Sequence, residues 1–232
     1  MTKPVIMMVG SDKGGVGKTT VTRALLAYLA SRGVPYRAFD AEAPAGGLRR
    51  FVPAAVVVDM EIIEHQMLMF DMPADVTVID VRAGMLSRSL TMLEQSHLLD
   101  EVQAGTVELT LLHVLGPSVQ SLGEVSAAAA RIGGGSRHLL VKNYISSTTG
   151  GYFDWDGADS KFAGVLAQMG PQTIVVPHLA ARACEAIDKR GIGFVEFCSD
   201  AAESKMLRGY TRTWLDNVWR DFSKVGLGVS AS

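Results

Sequence analysis

The sequence predicts an α/β fold: one doubly wound, mainly parallel sheet with helices on both faces. Three observations predict it. Short apolar runs without polar alternation recur along the chain, among them Val5–Val9, Val76–Val81 and Val107–Leu115, as strands buried on both faces require. Helical stretches separate them. The first run leads into Asp12-Lys13-Gly14-Gly15-Val16-Gly17-Lys18-Thr19-Thr20, a glycine-rich turn that opens a helix and has the form of a phosphate-binding loop.

Each element follows from local pattern. Val5–Val9 is short, apolar and ended by Gly10, and reads as a buried strand. Thr19–Ser31 reads as a helix with Leu25, Leu26 and Leu29 inward, stopped by Gly33. Pro35–Phe39 is a second strand ending on Asp40, before a polar turn from Ala41 to Gly47. Ala54–Asp59 is strand-like, and Ile62–Phe70 is a Met-rich helix. Val76–Val81 is a strand containing Asp80, and Met85–Leu99 is helical. Val107–Leu115 is the next strand, Ser118–Arg131 an alanine-rich helix stopped by glycines, and His138–Lys142 a strand leading to Asn143. Ser146–Asp159 is expected to be an exposed loop and Ser160–Met169 a helix. Gln172–Val176 is a strand ending at Pro177, and Ala180–Arg190 is a helix. Gly193–Phe197 is read as extended. A C-terminal helix at about 201–222 precedes a flexible tail, 223–232, and residues 1–232 are expected to form a single domain.

Right-handed crossovers place all strand C-termini of such a sheet on one edge, where ligands bind. The loop, Asp40, Asp80, Asn143 and Pro177 come from separate parts of the chain and converge on that edge.

Composition narrows the function. With 232 residues, 48% of them hydrophobic and 20% charged, the chain can bury a large core. A net charge of −2 gives no global field for nucleic acid. Cys184 and Cys198 form no CxxC, which argues against a disulfide framework or a cluster held within one chain. The N-terminus has no signal-peptide core, no apolar run reaches membrane-spanning length, and the reducing cytoplasm is the simplest compartment.

The loop carries the chemistry. Its glycines let successive N–H groups face an anion, and the following helix adds its positive end. Lys18 can reach the β- and γ-phosphates, and the Thr19 hydroxyl can sit on Mg²⁺. Asp12 stands where the general G-x-x-x-x-G-K-[ST] pattern has its first glycine. The variant K-G-G-x-G-K-[ST] fits at every defined position. Lys13 can neutralise charge developing on a transferred phosphoryl group. Asp80, with Gly84 four residues on, fits a Walker B carboxylate for Mg²⁺; a cap on the next helix is the other use of an aspartate there. Asp40 and Glu42 can orient or deprotonate an attacking water, or simply suit a solvated turn. Asn143 can read a nucleobase edge or end a strand. The C-terminal helix carries an apolar face of Leu207, Tyr210, Trp214, Leu215, Val218 and Phe222. It suits packing on the sheet or a subunit partner better than a membrane surface, because acidic residues accompany its arginines.

At Lys13–Thr20 the chain resembles the deviant-Walker P-loop ATPases of the ParA/MinD group. Asp40-Ala41-Glu42, Val78–Gly84 and Leu140–Asn143 agree in order. The resemblance implies a slow, partner-stimulated Mg²⁺-dependent ATPase that dimerises face to face around two ATP molecules and positions DNA or other cargo. It implies Lys13, Lys18, Asp40 and Glu42 in catalysis. Gly14, Gly15, Val16, Gly17, Lys18, Thr19 and Thr20 would hold the phosphates, Asn143 and Pro177 would flank the adenine, and Thr19 and Asp80 would hold Mg²⁺. Expected partners are a second copy, nonspecific DNA and an adaptor or activator protein, and less readily a membrane surface. The family usually has Asp-x-Asp where this chain has Asp40-x-Glu42, and the interval from Asp40 to Asp80 is short. The alternative is an ATP-dependent biosynthetic enzyme similar to dethiobiotin synthetase or cobyrinic acid synthase. A cluster carrier like the nitrogenase iron protein needs cysteines in other places.

Overall fold

The computed structural model describes residues 3–71, 75–116, 119–132, 135–144 and 172–228. Among these residues seven strands form one sheet: β1 Val5–Gly10, β2 Arg37–Asp40, β3 Val56–Val57, β4 Val76–Asp80, β5 Glu108–Leu115, β6 Ser136–Asn143 and β7 Gln172–Val176. Their order is β3-β2-β4-β1-β5-β6-β7, and every pairing is parallel. From β1 the chain crosses to β2 beyond β4, and from β4 it returns across β1 to β5. The reversal therefore falls at β1, and the crevice it opens lies at the end of that strand.

Alternation along the strands divides the core. Val9, Val78, Leu112, Val141 and Ile174 face one helical layer, made of α1 Lys18–Ser31, α6 Ala181–Arg190, α7 Phe194–Ser199 and α8 Lys205–Lys224. Met8, Phe39, Ile79 and Leu111 face the other, made of α2 Ile63–Phe70, α3 Leu86–Gln95, α4 Leu98–Gln103 and α5 Val119–Ile132. Both faces are covered, which is why the strands read as unbroken apolar runs. On α8, Trp214, Leu215, Val218 and Phe222 are buried, and Phe222 meets the Tyr28 ring edge-on. The apolar face of this helix is thus spent inside the fold, with Leu207 half-buried and Tyr210 outside it.

Several boundaries differ from expectation for local reasons. The helix expected over Met85–Leu99 is two helices. His97 takes a left-handed φ of 60°, which turns Leu99 and Val102 of α4 into the core. The stretch expected to be extended at Gly193–Phe197 is α7, with Phe194, Phe197 and Cys198 buried at helical spacing. Strand pairing within Ala54–Asp59 is confined to Val56–Val57. The tail expected to fray from Ser223 is packed as far as Gly228. Gly226, at φ 66°, turns the chain so that Val225 and Leu227 are buried. The expected loop Ser146–Asp159 and helix Ser160–Met169 lie outside the described residues. Below the sheet, at the strand N-termini, Lys3, Asp75, Glu108, Arg137 and Gly228 ring a cavity of about 260 Å³.

Candidate functional site

The loop between β1 and α1 holds its shape through two glycines and two buried anchors. Gly15 and Gly17 have φ of 72° and 88°, the left-handed region that a side chain resists. Gly17 is also the N-cap of α1 and supplies no side-chain cap. The first N–H groups of the helix are therefore left facing the crevice. Val16 is buried and packs on Gly116 after β5, where a Cβ would stand 2.7 Å from its Cγ1. Asn143, at the end of β6, donates its Nδ2–H to the Val16 carbonyl at 2.7 Å.

Lys18 is buried under the loop and donates to the Lys13 carbonyl at 3.2 Å. Burial holds its ammonium below the usual lysine range, opposed by Asp80 and Glu42. Lys13 is exposed, its stem lying over Gly116. Gly14 is exposed beside it, and Thr20 sits half-buried in the first turn of α1.

Asp80 ends β4 directly beside Asp40 of β2. Thr19 Oγ1 donates to Asp80 Oδ2 at 2.8 Å, and Thr22 Oγ1 lies 3.0 Å from Oδ1. Burial pushes the Asp80 carboxyl up to about 7, against the pull of those hydroxyls. Among the described residues no group of three or more His, Cys, Asp or Glu is placed to hold a metal. The Thr19–Asp80 pair is a hard-oxygen donor set of the kind that holds a cation together with phosphate oxygens and water.

The acidic pair separates into two roles. Asp40 is 1% exposed, and its Oδ2 accepts the Leu48 and Arg49 N–H groups at 2.7 and 2.9 Å. Its Oδ1 accepts the Glu42 N–H at 3.1 Å. With three backbone donors on it, Asp40 builds the turn. Glu42 is exposed; a Cβ on Gly47 would meet Glu42 Oε2 at 2.5 Å and Thr19 Oγ1 at 3.9 Å. The missing side chain at Gly47 is thus what brings carboxylate and hydroxyl to a common space.

Asn143 and Pro177 end neighbouring strands, as expected, but they serve the fold as well. The Asn143 donor is on the loop, and the Pro177 carbonyl accepts the Trp214 indole N–H at 2.6 Å. Three participants escaped the sequence reading. Thr22 lies one helical turn beyond Thr19, a spacing that could have found it. Gly10 admits Leu86, whose Cδ1 would stand 2.8 Å from a Cβ there. Asp12 accepts the Leu86 N–H and the Ser87 hydroxyl across the sheet edge, a contact without a local signal.

Fold and loop together define a phosphate-loop nucleotide-binding protein. A family model described as the CobQ/CobB/MinD/ParA nucleotide-binding domain matches residues 7–131, more than half of the chain. The chain belongs to that family. A search of curated proteins returns no match. Among solved structures, the MinC:MinD cell division protein complex of Aquifex aeolicus aligns at TM-score 0.51 and 14% identity, covering 92% of this chain and 96% of that one. A nucleotide-binding protein of Archaeoglobus fulgidus, in complex with ADP, aligns at 0.49 and 13%, covering 94% and 92%. Aquifex aeolicus MinD alone aligns at 0.46 and 14%, covering 92% and 97%. No helix among the described residues is long and apolar enough to cross a membrane.

Proposed function

We propose that the chain is a Mg²⁺-dependent ATPase that works as a dimerisation switch. The observation that carries this is the exposed Lys13 in the same short loop as the buried Lys18. Lys18 is held beneath the loop of its own chain, and Lys13 stands exposed on that loop, where a second molecule can reach it. ATP phosphates sit on the N–H groups from Gly14 to Thr20, with Lys18 leaving the Lys13 carbonyl for the β- and γ-oxygens. Thr19 and Asp80 would hold Mg²⁺, and the ion would supply positive charge beside the phosphate oxygens. Glu42, beside Thr19, orients the attacking water; Asp40 holds Glu42 by fixing its turn. Pro177 lies against the adenine, with Asn143 bracing the loop below it. The ATP dimer is the cargo-bearing form, and its cargo is DNA or an adaptor protein.

Sedimentation velocity with ATP, ADP or no nucleotide tests this. Dimer is expected with ATP only, to persist longer in E42A, and to be lost in K13A and K18A. Monomer under every condition, in wild type and E42A alike, refutes the switch.

One observation favours a second reading. A polar cavity of about 320 Å³, lined by Ala41, Asp59, Glu61, Arg82, Gly84 and Arg88, opens beside the segment after Asp80. Its size suits a small charged phosphoryl acceptor, as an ATP-dependent biosynthetic enzyme needs. Phosphate release that rises manyfold with a small carboxylic acid or amine, but without dimer formation, would select that reading.

A further inference from the structure

We infer that Asp12 is a positioning residue that ties the loop carrying Lys13 to the helix following Asp80, so that the two move together. This rests on the nucleotide switch proposed above. A carboxylate next to a phosphate site repels the ligand, so an aspartate at this position needs an offsetting use. Its contacts supply one. Oδ1 accepts the Leu86 N–H at 3.0 Å, and Oδ2 accepts the Ser87 hydroxyl at 2.8 Å. Leu86 opens α3, whose own N-cap residue, Met85, makes no side-chain cap. The unpaired N–H groups and positive end of that helix are therefore served by a carboxylate from a distant part of the chain.

The tie continues on the other side. The Glu124 carboxyl of α5 lies near the Asp12 backbone, and burial and the Asp12 charge raise it above the usual carboxylate range. Helices α3 and α5 are themselves joined by Arg131, which donates to both Glu94 oxygens, the Thr91 hydroxyl and the Ser87 carbonyl. The segment from Val81 to Met85 is thus bounded by two ties to one loop, Thr19 on Asp80 at its start and Asp12 on Leu86 at its end. Leu86 also seats on Gly10, immediately before the loop. A displacement of α3 on nucleotide binding or hydrolysis is passed through Asp12 to its neighbour Lys13. Lys13 is the residue that completes a partner's site in the switch.

The test compares D12A, D12N and S87A, each checked for native circular dichroism. Asparagine keeps the shape and still accepts the Leu86 N–H, while the Ser87 hydroxyl can turn to accept from its amide. Rescue by D12N therefore separates hydrogen bonding from charge. Without nucleotide, hydrogen exchange at the Leu86 amide is expected to quicken by about tenfold or more in D12A and by less than about threefold in D12N. In ATP turnover, kcat of D12A is expected to fall about tenfold with KM within about threefold of wild type, D12N to keep at least roughly a third of kcat, and S87A to lie between. Unchanged Leu86 exchange in D12A overturns the tie. So does a D12N as impaired as D12A, or a KM that rises in step with the loss of kcat. A wild-type chain that hydrolyses no ATP defeats the switch reading instead, and the exchange measurement still decides whether Asp12 holds α3.

Discussion

Asn143→Ala separates two uses of one side chain. In the structure the Asn143 amide is 7% exposed and its Nδ2–H sits 2.7 Å from the Val16 carbonyl. Alanine removes the donor and leaves a buried carbonyl without it, a loss of about 1–3 kcal/mol. For a chain of this size that lowers Tm by about 2–12 °C. Val16 is the loop's buried anchor, so the loop must be re-ordered when ligand arrives. If the whole cost falls on binding, Kd rises by at most roughly 5- to 150-fold. The decisive point is which ligands feel it. A loop brace acts on the phosphates, so ATP, GTP and inorganic tripolyphosphate should weaken by the same factor. A base-reading asparagine would weaken ATP alone. Calorimetric titration of the three ligands into wild type and variant measures this, with a thermal melt for stability. An unchanged Tm, or a loss confined to ATP, refutes the bracing role.

Other outcomes follow from single contacts. Gly47→Ala should displace the Glu42 carboxylate, which lies 2.5 Å from the new Cβ position. Because that group is the end of a flexible side chain, Tm should change little while ATP hydrolysis drops and nucleotide affinity holds. Asp40→Ala strips an acceptor from three backbone N–H groups at 2.7, 2.9 and 3.1 Å, and should cost about 3 kcal/mol or more in urea unfolding. The stacked, buried pair His113–His138, with Nε2 and Nδ1 3.0 Å apart, should make stability acid-sensitive. Burial holds His113 at about 3 and His138 below its ordinary value. The unfolded chain then binds more protons between about 3 and 6.5, so stability is full above about 6.5 and falls below it by about 1.4 kcal/mol per pH unit for His113. Urea midpoints measured from pH 5 to 7.5 check this, and His113→Phe should flatten the slope.

Much of the architecture was legible because burial on both faces writes itself into composition. Val76–Val81 and Val107–Leu115 could be little else but inner strands, and the glycine loop marked the start of α1 to within a residue. The parts that were not legible depend on contacts between distant residues. Nothing near His97 announces a left-handed turn; Leu99 and Val102 are buried in a cluster that includes Leu109 and Leu111 of β5, far from any local pattern. The run Gly193–Phe197 was too short for period to separate helix from strand, though continuing to Cys198 would have shown three buried residues at helical spacing. Asp40 and Glu42 looked alike as an acidic pair. Only the fold shows one carboxylate filled by backbone donors and the other left open beside Thr19. Asp12 looked like a departure from a pattern because its partner, Leu86, belongs to another helix.

The cavity under the sheet has a practical consequence for anyone who attaches things to this molecule. Lys3 and Gly228, near the two ends of the described chain, line the same small hollow, on the edge opposite the phosphate loop. A dye, a surface tether or a fused reporter placed at either position hangs from the floor of the molecule. The crevice above stays open to solution, so loading and release can be watched from a handle that does not obstruct them.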